Sequence, residues 1–208
     1  MKRIVSTILA ASMLLIGTQA FAQISVGGGY LNTTLASSGA NSQSGVGAFV
    51  GASYNIPISG ALAIAPGVYY SWVTQELSSD FIIGTTNRVI NEHAINVPVL
   101  INYGIPVGNT AKFYVFAGPT LQYGLSSTAS DTVTSIFSDK TSTTTTNNYD
   151  KNIYNRTNVY VGGGVGFQVS NFLFTVGYDY GLTDLDAAGN YDNPLNRSNL
   201  KIGVSYCL

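Results

Sequence analysis

Every second residue is apolar or aromatic in eight separate stretches of this chain, and that period confines it to β-structure. Ile95, Val97, Val99, Ile101 and Tyr103 fall on one side of a strand, with Asn96, Pro98, Leu100 and Asn102 on the other, as pleating dictates. The same alternation sets Phe113, Val115, Ala117, Pro119, Leu121, Tyr123 and Leu125 against Lys112, Tyr114, Phe116, Gly118, Thr120, Gln122 and Gly124. It recurs at residues 158–169, 172–181 and 200–208, and less strictly at 24–35, 46–56 and 62–73. Each stretch is close to the ~9–11 residues that a tilted membrane strand needs. After residue 22, no run approaches the ~20 apolar residues of a membrane helix.

Alternation alone does not say which face is outside, and here composition decides. Only 9% of the residues are charged, against roughly 25% in a soluble domain. The second face carries Gly, Ser, Asn, Thr, Gln and Tyr, with Lys112, Asp179 and Lys201 as its only charges, too bare for a solvated exterior. Glycines and small polar groups suit a crowded lumen, and an eight-stranded barrel is just wide enough for side chains to fill. The apolar face then meets lipid. Lys112, Asp179 and Lys201 are the expected lumen charges, with Asp179 pairing one of the two lysines because buried charges need partners.

Lys2 and Arg3 precede an apolar run at residues 8–16 and then Ala20-Phe21-Ala22, the layout of a secretory signal peptide cleaved after Ala22. Residues 23–208 then form one domain with 7 basic and 10 acidic residues, a net charge of −3, and no basic footprint for nucleic acid. Cys207 is the only cysteine, so no internal disulfide can form. Connections between the stretches strictly alternate long and short, with long ones at 36–43, 75–92, 126–154 and 183–196. Outer-membrane barrels have longer external loops and short periplasmic turns, so both termini are expected in the periplasm. Nine of the ten acidic residues fall in or at the rims of the long connections.

The lipid-facing aromatics gather at two levels. Tyr54, Tyr103, Phe113, Phe172 and Tyr206 lie near the short turns, and Tyr30, Tyr70, Trp72, Tyr123, Tyr178 and Tyr180 toward the long connections. Two aromatic girdles are expected at the two membrane–water interfaces. Pro66, Pro98 and Pro119 each remove a ladder donor, and β-bulges would accommodate them.

Residues 95–103 and 112–119, with the ending Ile202-Gly203-Val204-Ser205-Tyr206, resemble the PorT-like outer-membrane β-barrel family of Bacteroidota over essentially all of 23–208. The resemblance implies an integral outer-membrane protein of a Gram-negative cell. The family often carries a carboxylate and a base where this chain has Asn96 and Asn102, and often ends in an aromatic where this chain has Cys207-Leu208.

Little in the chain supports catalysis, which needs a base near a nucleophile or water. His93 is the only histidine and adjoins Glu92 at a strand rim, but neighbours in a strand point to opposite faces. Glycines 162–164 and 166 match the lumen parity, and no helix follows to make them a phosphate loop. Asp184 and Asp186 open like a calcium loop, yet Ala188 and Leu195 stand where ligands should be. Residues 141–148 are low-complexity and uncharged and read as an exposed mobile loop.

The expected protein is an all-β, eight-stranded antiparallel up-and-down transmembrane barrel, non-enzymatic, without cofactor or metal. Its partners are outer-membrane lipid, the outer-membrane assembly machinery and an unidentified envelope protein, and its role is surface contact, scaffolding or envelope support through long external loops. Two alternatives stand beside it, a lipid-modifying enzyme using the Glu92 and His93 rim and a narrow solute tunnel. Lumen aromatics Tyr69, Tyr114, Phe116 and Tyr160 oppose the tunnel.

Overall fold

The computed structural model describes residues 23–38, 42–81, 84–135, 138–189 and 193–208, and of residues 77–81, 84–86, 133–135 and 138–142 the backbone alone. The leader at 1–22 and its cleavage after Ala22 lie outside the described residues. Nine strands follow one another: β1 (Gln23–Ala36), β2 (Gln43–Ser59), β3 (Leu62–Phe81), β4 (Gly84–Val107), β5 (Ala111–Ser135), β6 (Ser138–Asn147), β7 (Thr157–Val169), β8 (Phe172–Gly181) and β9 (Asn196–Cys207). All pair antiparallel. β1 pairs both β2 and β9, while β4 pairs β5 and β5 pairs β7, so eight strands close into a ring and β6 stays outside it. The fold is the eight-stranded up-and-down barrel that the alternation predicts.

The period of two reaches every strand of the ring. Val97, Val99, Ile101 and Tyr103 of β4 are exposed, as are Phe172, Phe174, Val176, Tyr178 and Tyr180 of β8, and Leu200, Ile202, Val204 and Tyr206 of β9. Ser71, Thr120, Gln122, Asn158, Asp179 and Asn199 on the other parity are buried. A large exposed apolar surface wrapped around a polar interior inverts a soluble domain and is the pattern of a lipid-embedded barrel.

Tight turns close the short-connection end. Gly60 and Gly108 sit at φ 56° and 66°, a left-handed conformation that costs glycine little. Ser170 takes φ 54° in the turn joining β7 to β8.

At the other end the strands outrun the barrel. Much of the long connections at 75–92 and 126–154 is strand, because β3 runs on to Phe81, β4 starts at Gly84 and β5 reaches Ser135. Residues 141–147, read from the sequence as a mobile loop, belong to β6, which pairs β5 from Thr128↔Asn147 to Ser135↔Ser138. The continuing edge of β5 supplies the backbone partners, and β-branched threonine suits a pleated strand. The distal parts of β3, β4 and β5 together with β6 form a four-stranded blade rising past the ring.

Pro66, Pro98 and Pro119 do not occupy bulges. Pro66 pairs with Val99, Pro98 with Thr120 and Pro119 with Val161, and the β3–β4 and β4–β5 ladders resume in the same register after a short gap beside them. The register shifts fall elsewhere, between Pro57 and Ser59, beside His93 and Ala94, and between Thr134 and Ser135 where β5 pairs β6. At the second shift β5 inserts Leu125, which turns Ser127 and Ala129 inward, where both are fully buried.

Candidate functional site

The lumen is divided by a polar plug near the blade end. Glu92 of β4 projects inward and meets Arg197 of β9 in a two-pronged ion pair, with Nη2 2.7 Å from Oε2 and Nη1 on Oε1. Arg197 Nη1 also donates to Gln122 Oε1 at 3.2 Å, which accepts from the Tyr160 hydroxyl at 2.8 Å. Gln122 Nε2 donates to Asn96 Oδ1 at 2.9 Å, and Asn96 Nδ2 to Ser71 Oγ at 2.8 Å. One connected network thus spans β3, β4, β5, β7 and β9, and each bond offsets the desolvation of the groups it joins.

A loop caps this plug. Tyr149, between β6 and β7, lies over Gly124, whose absent Cβ would sit 2.0 Å from the phenol oxygen. Burial raises the Tyr149 pKa, and the nearby Glu92 carboxylate raises it further. Arg156 stacks on the ring at 4.8 Å and pairs Asp150 at 3.0 Å. Beside this cap, Leu35, Leu185 and Leu195 form a small apolar cluster with Tyr154.

Below the plug a cavity of about 140 Å³ remains. The expected lumen aromatics fill only part of the interior: Tyr160 is fully buried in the plug, while Tyr69 and Phe116 line the cavity. Asp179 and Lys201 pair across its wall at 2.5 Å. Lys112 shares their parity but stands exposed at the short-turn end, opposite Gln168 and Pro106.

The outer wall carries the predicted girdle residues. Tyr30, Trp72, Tyr103, Tyr123, Phe172, Tyr178, Tyr180 and Tyr206 are exposed. Tyr54, Tyr70 and Phe113 are half-exposed, and register places Tyr54 beside the exposed Ile24, Tyr70 beside Ile95, and Phe113 between the exposed Ile105 and Phe167. Phe172 and Tyr206 meet edge to face at 5.4 Å.

Glu92 and His93, neighbours in sequence, part at the strand. Glu92 is committed to Arg197 inside, whereas the His93 ring stacks on Tyr70 outside, with Nδ1 2.6 Å from the Tyr70 hydroxyl. The Asp184 loop uses its carboxylates on backbone, Asp184 Oδ1 accepting from the Asp186 and Leu195 amides and Asp186 Oδ1 from Ala188. Among the described residues no group of three His, Cys, Asp or Glu stands where a metal ion could be held.

Sequence reasoning left Arg197 out of the site because it adjoins a long connection. Its parity with Asn199 and Lys201 is the signal that assigns it to the lumen.

The blade offers a different surface. β6 has β5 on one side and, among the described residues, no strand on the other. Asp139 and Lys140 are its only charges, near the tip, and the stretch from 141 to 147 has neither charge nor proline. Lysines, prolines and bulges are the usual guards of an open edge.

Similar solved structures include Ail, the attachment invasion locus protein of Yersinia pestis, in complex with the heparin analogue sucrose octasulfate (13% identity, 90% of this chain and 99% of that one, TM-score 0.46). Neisserial surface protein A is similar at 18% identity (88% and 96% covered, TM-score 0.48), and the outer membrane enzyme PagL at 11% (88% and 98%, TM-score 0.46). No curated protein matches the sequence. The family described as outer membrane protein beta-barrel domain matches residues 18–187, and the chain belongs to that family.

Proposed function

We propose that this outer-membrane barrel is a non-enzymatic surface-contact protein, with its blade outside the cell, both termini in the periplasm, and the free edge of β6 as its contact element. The observation that carries this function is the open edge itself. At about 3.3 Å per residue, β6 presents roughly 30 Å of edge that meets no strand among the described residues, a template onto which an extended segment of another protein can pair as an added strand. The external partner is therefore a protein with an exposed strand, and the barrel is its membrane scaffold. Lipid and the outer-membrane assembly machinery are the remaining partners, and within the family we place the chain with the PorT-like barrels of Bacteroidota.

The separation of Glu92 from His93 by the barrel wall supports the non-enzymatic assignment over lipid modification. Protease added to intact cells is expected to cut at Lys140, and Pro in place of Thr144 is expected to abolish cross-linking of partner protein to a photoreactive residue at position 146. His93→Ala is expected to leave the lipid A pattern unchanged. An altered pattern, or cross-linking that survives the proline, overturns the assignment.

A further inference from the structure

The cavity below the plug combines features that water alone does not require. Phe49, Phe116, Leu31 and Leu100 supply apolar wall, and Thr120 and Lys201 face the same space. A cavity of about 150 Å³ holds a benzene-sized guest, so by volume about 140 Å³ admits one ring, here within a wall that also carries polar side chains such as Asn96, Asn102 and Thr175. The wall also has an unmet hydrogen-bonding need. Thr120 is 3% exposed and its hydroxyl has no partner among the described residues, where Lys201 has one ion-pair partner for three N–H groups.

Charge fixes the class of guest. Asp179 already neutralises Lys201 at 2.5 Å, so a carboxylate would bring an unbalanced charge into the chamber, whereas a hydroxyl or carbonyl can accept from lysine without that cost. The two ends of the chamber differ. The Glu92–Arg197 plug and Tyr149 close the blade side, while a second cavity of about 50 Å³ shares Ala65 and Phe116 with the first and reaches Gln23 and Cys207 beside the short turns. Tyr114 and Gln168 also line this lower cavity, hydrogen-bonded at 2.8 Å.

We propose that the lumen chamber binds a small uncharged amphipathic molecule, one aromatic ring or a short aliphatic chain bearing a single hydroxyl or carbonyl, admitted from the short-turn end. The site is separate from the blade and stands whether or not β6 recruits a partner.

Benzyl alcohol is the probe, titrated into the full barrel in lipid nanodiscs with leucine and valine methyls labelled for NMR. Saturable shifts are expected at Leu31, Leu100 and Leu173, with ring-to-methyl cross-peaks, and Ala65→Phe, which fills the junction of the two cavities, is expected to abolish them. Thr120→Val keeps the side-chain shape and removes the hydroxyl, so affinity is expected to fall about tenfold, the worth of one hydrogen bond, with toluene binding the unaltered barrel correspondingly weaker and benzoate not at all. Dispersed amide spectra establish that each variant is folded. Shifts that grow without saturation, that appear only at lipid-facing Val99 and Val204, or that persist in Ala65→Phe overturn the proposal. So do lumen methyls that do not respond at all, the result for a chamber that holds only water.

Discussion

Glu92 and Arg197 lie 105 residues apart and meet inside the barrel as a two-pronged ion pair, their side chains 8% and 4% exposed. The pair ties β4 to β9 across the lumen and, through Gln122, joins both to β5. It is the point at which the interior changes from a chamber to a plug.

Removing one partner of such a pair strands the other as a buried charge, at a cost of about 3–5 kcal/mol, whereas replacing both with apolar residues of similar volume is often neutral or stabilising. Arg197→Met alone and Glu92→Leu alone are each expected to lower the temperature of the heat-dependent gel shift, and the double substitution to recover most of the loss. Equal losses in single and double variants would show that packing rather than charge pairing holds the plug.

The same plug bears on transport. Glu92, Arg197, Gln122 and Tyr160, all buried and bonded to one another, block the lumen at the blade end. Planar-bilayer recordings of the unaltered protein are expected to match background. Combining Arg197→Ser, Glu92→Ser and Tyr149→Ser is expected to give discrete conductance steps. Steps in the unaltered protein would refute the closure.

The barrel was legible because lipid on one side and packed side chains on the other impose a period of two on every spanning strand, as in β4 from Ile95 to Tyr103. That pressure fades beyond the membrane. Residues 141–147 of β6 carry no apolar alternation, and the strand exists because β5 continues upward and offers its edge, a tertiary cause that local pattern does not record. The plug was partly hidden for a related reason. Each of its members lies on a lumen parity that the sequence displays, but pairing Glu92 with Arg197 requires the ring to close and set β9 opposite β4 across the lumen. His93 drew attention as the single histidine, and only strand geometry separates it from Glu92.

Parity has a sharp energetic consequence at the outer wall. Val204 is 44% exposed on the lipid face, and the neighbouring Ser205 is turned inward toward the chamber. A lysine on the lipid face of a barrel costs about 2–4 kcal/mol near the bilayer midplane. Val204→Lys is expected to destabilise the barrel by that order in chemical unfolding from lipid vesicles, and Ser205→Ala to change stability by less than about 1 kcal/mol, as for loss of a modest polar contact. A reversed order would place the wrong face against lipid.

Tyr149 gives the cap a pH dependence whose sign follows from its burial. Its pKa is raised above the ordinary 10.0, first by desolvation and next by the Glu92 carboxylate, so the docked loop favours the neutral phenol. The stabilisation is fully present below the unfolded value and is lost as pH rises through the higher folded value. A solvent-sensitive dye on Lys151→Cys, an exposed position two residues away, is expected to report a docked cap from neutral pH to about 9, since an unfolded tyrosine titrates near 10, and progressive release above that. Tyr149→Phe has no proton to lose, so its signal is expected to stay flat across the same range. Release at the same pH in Tyr149→Phe would assign the transition to another group.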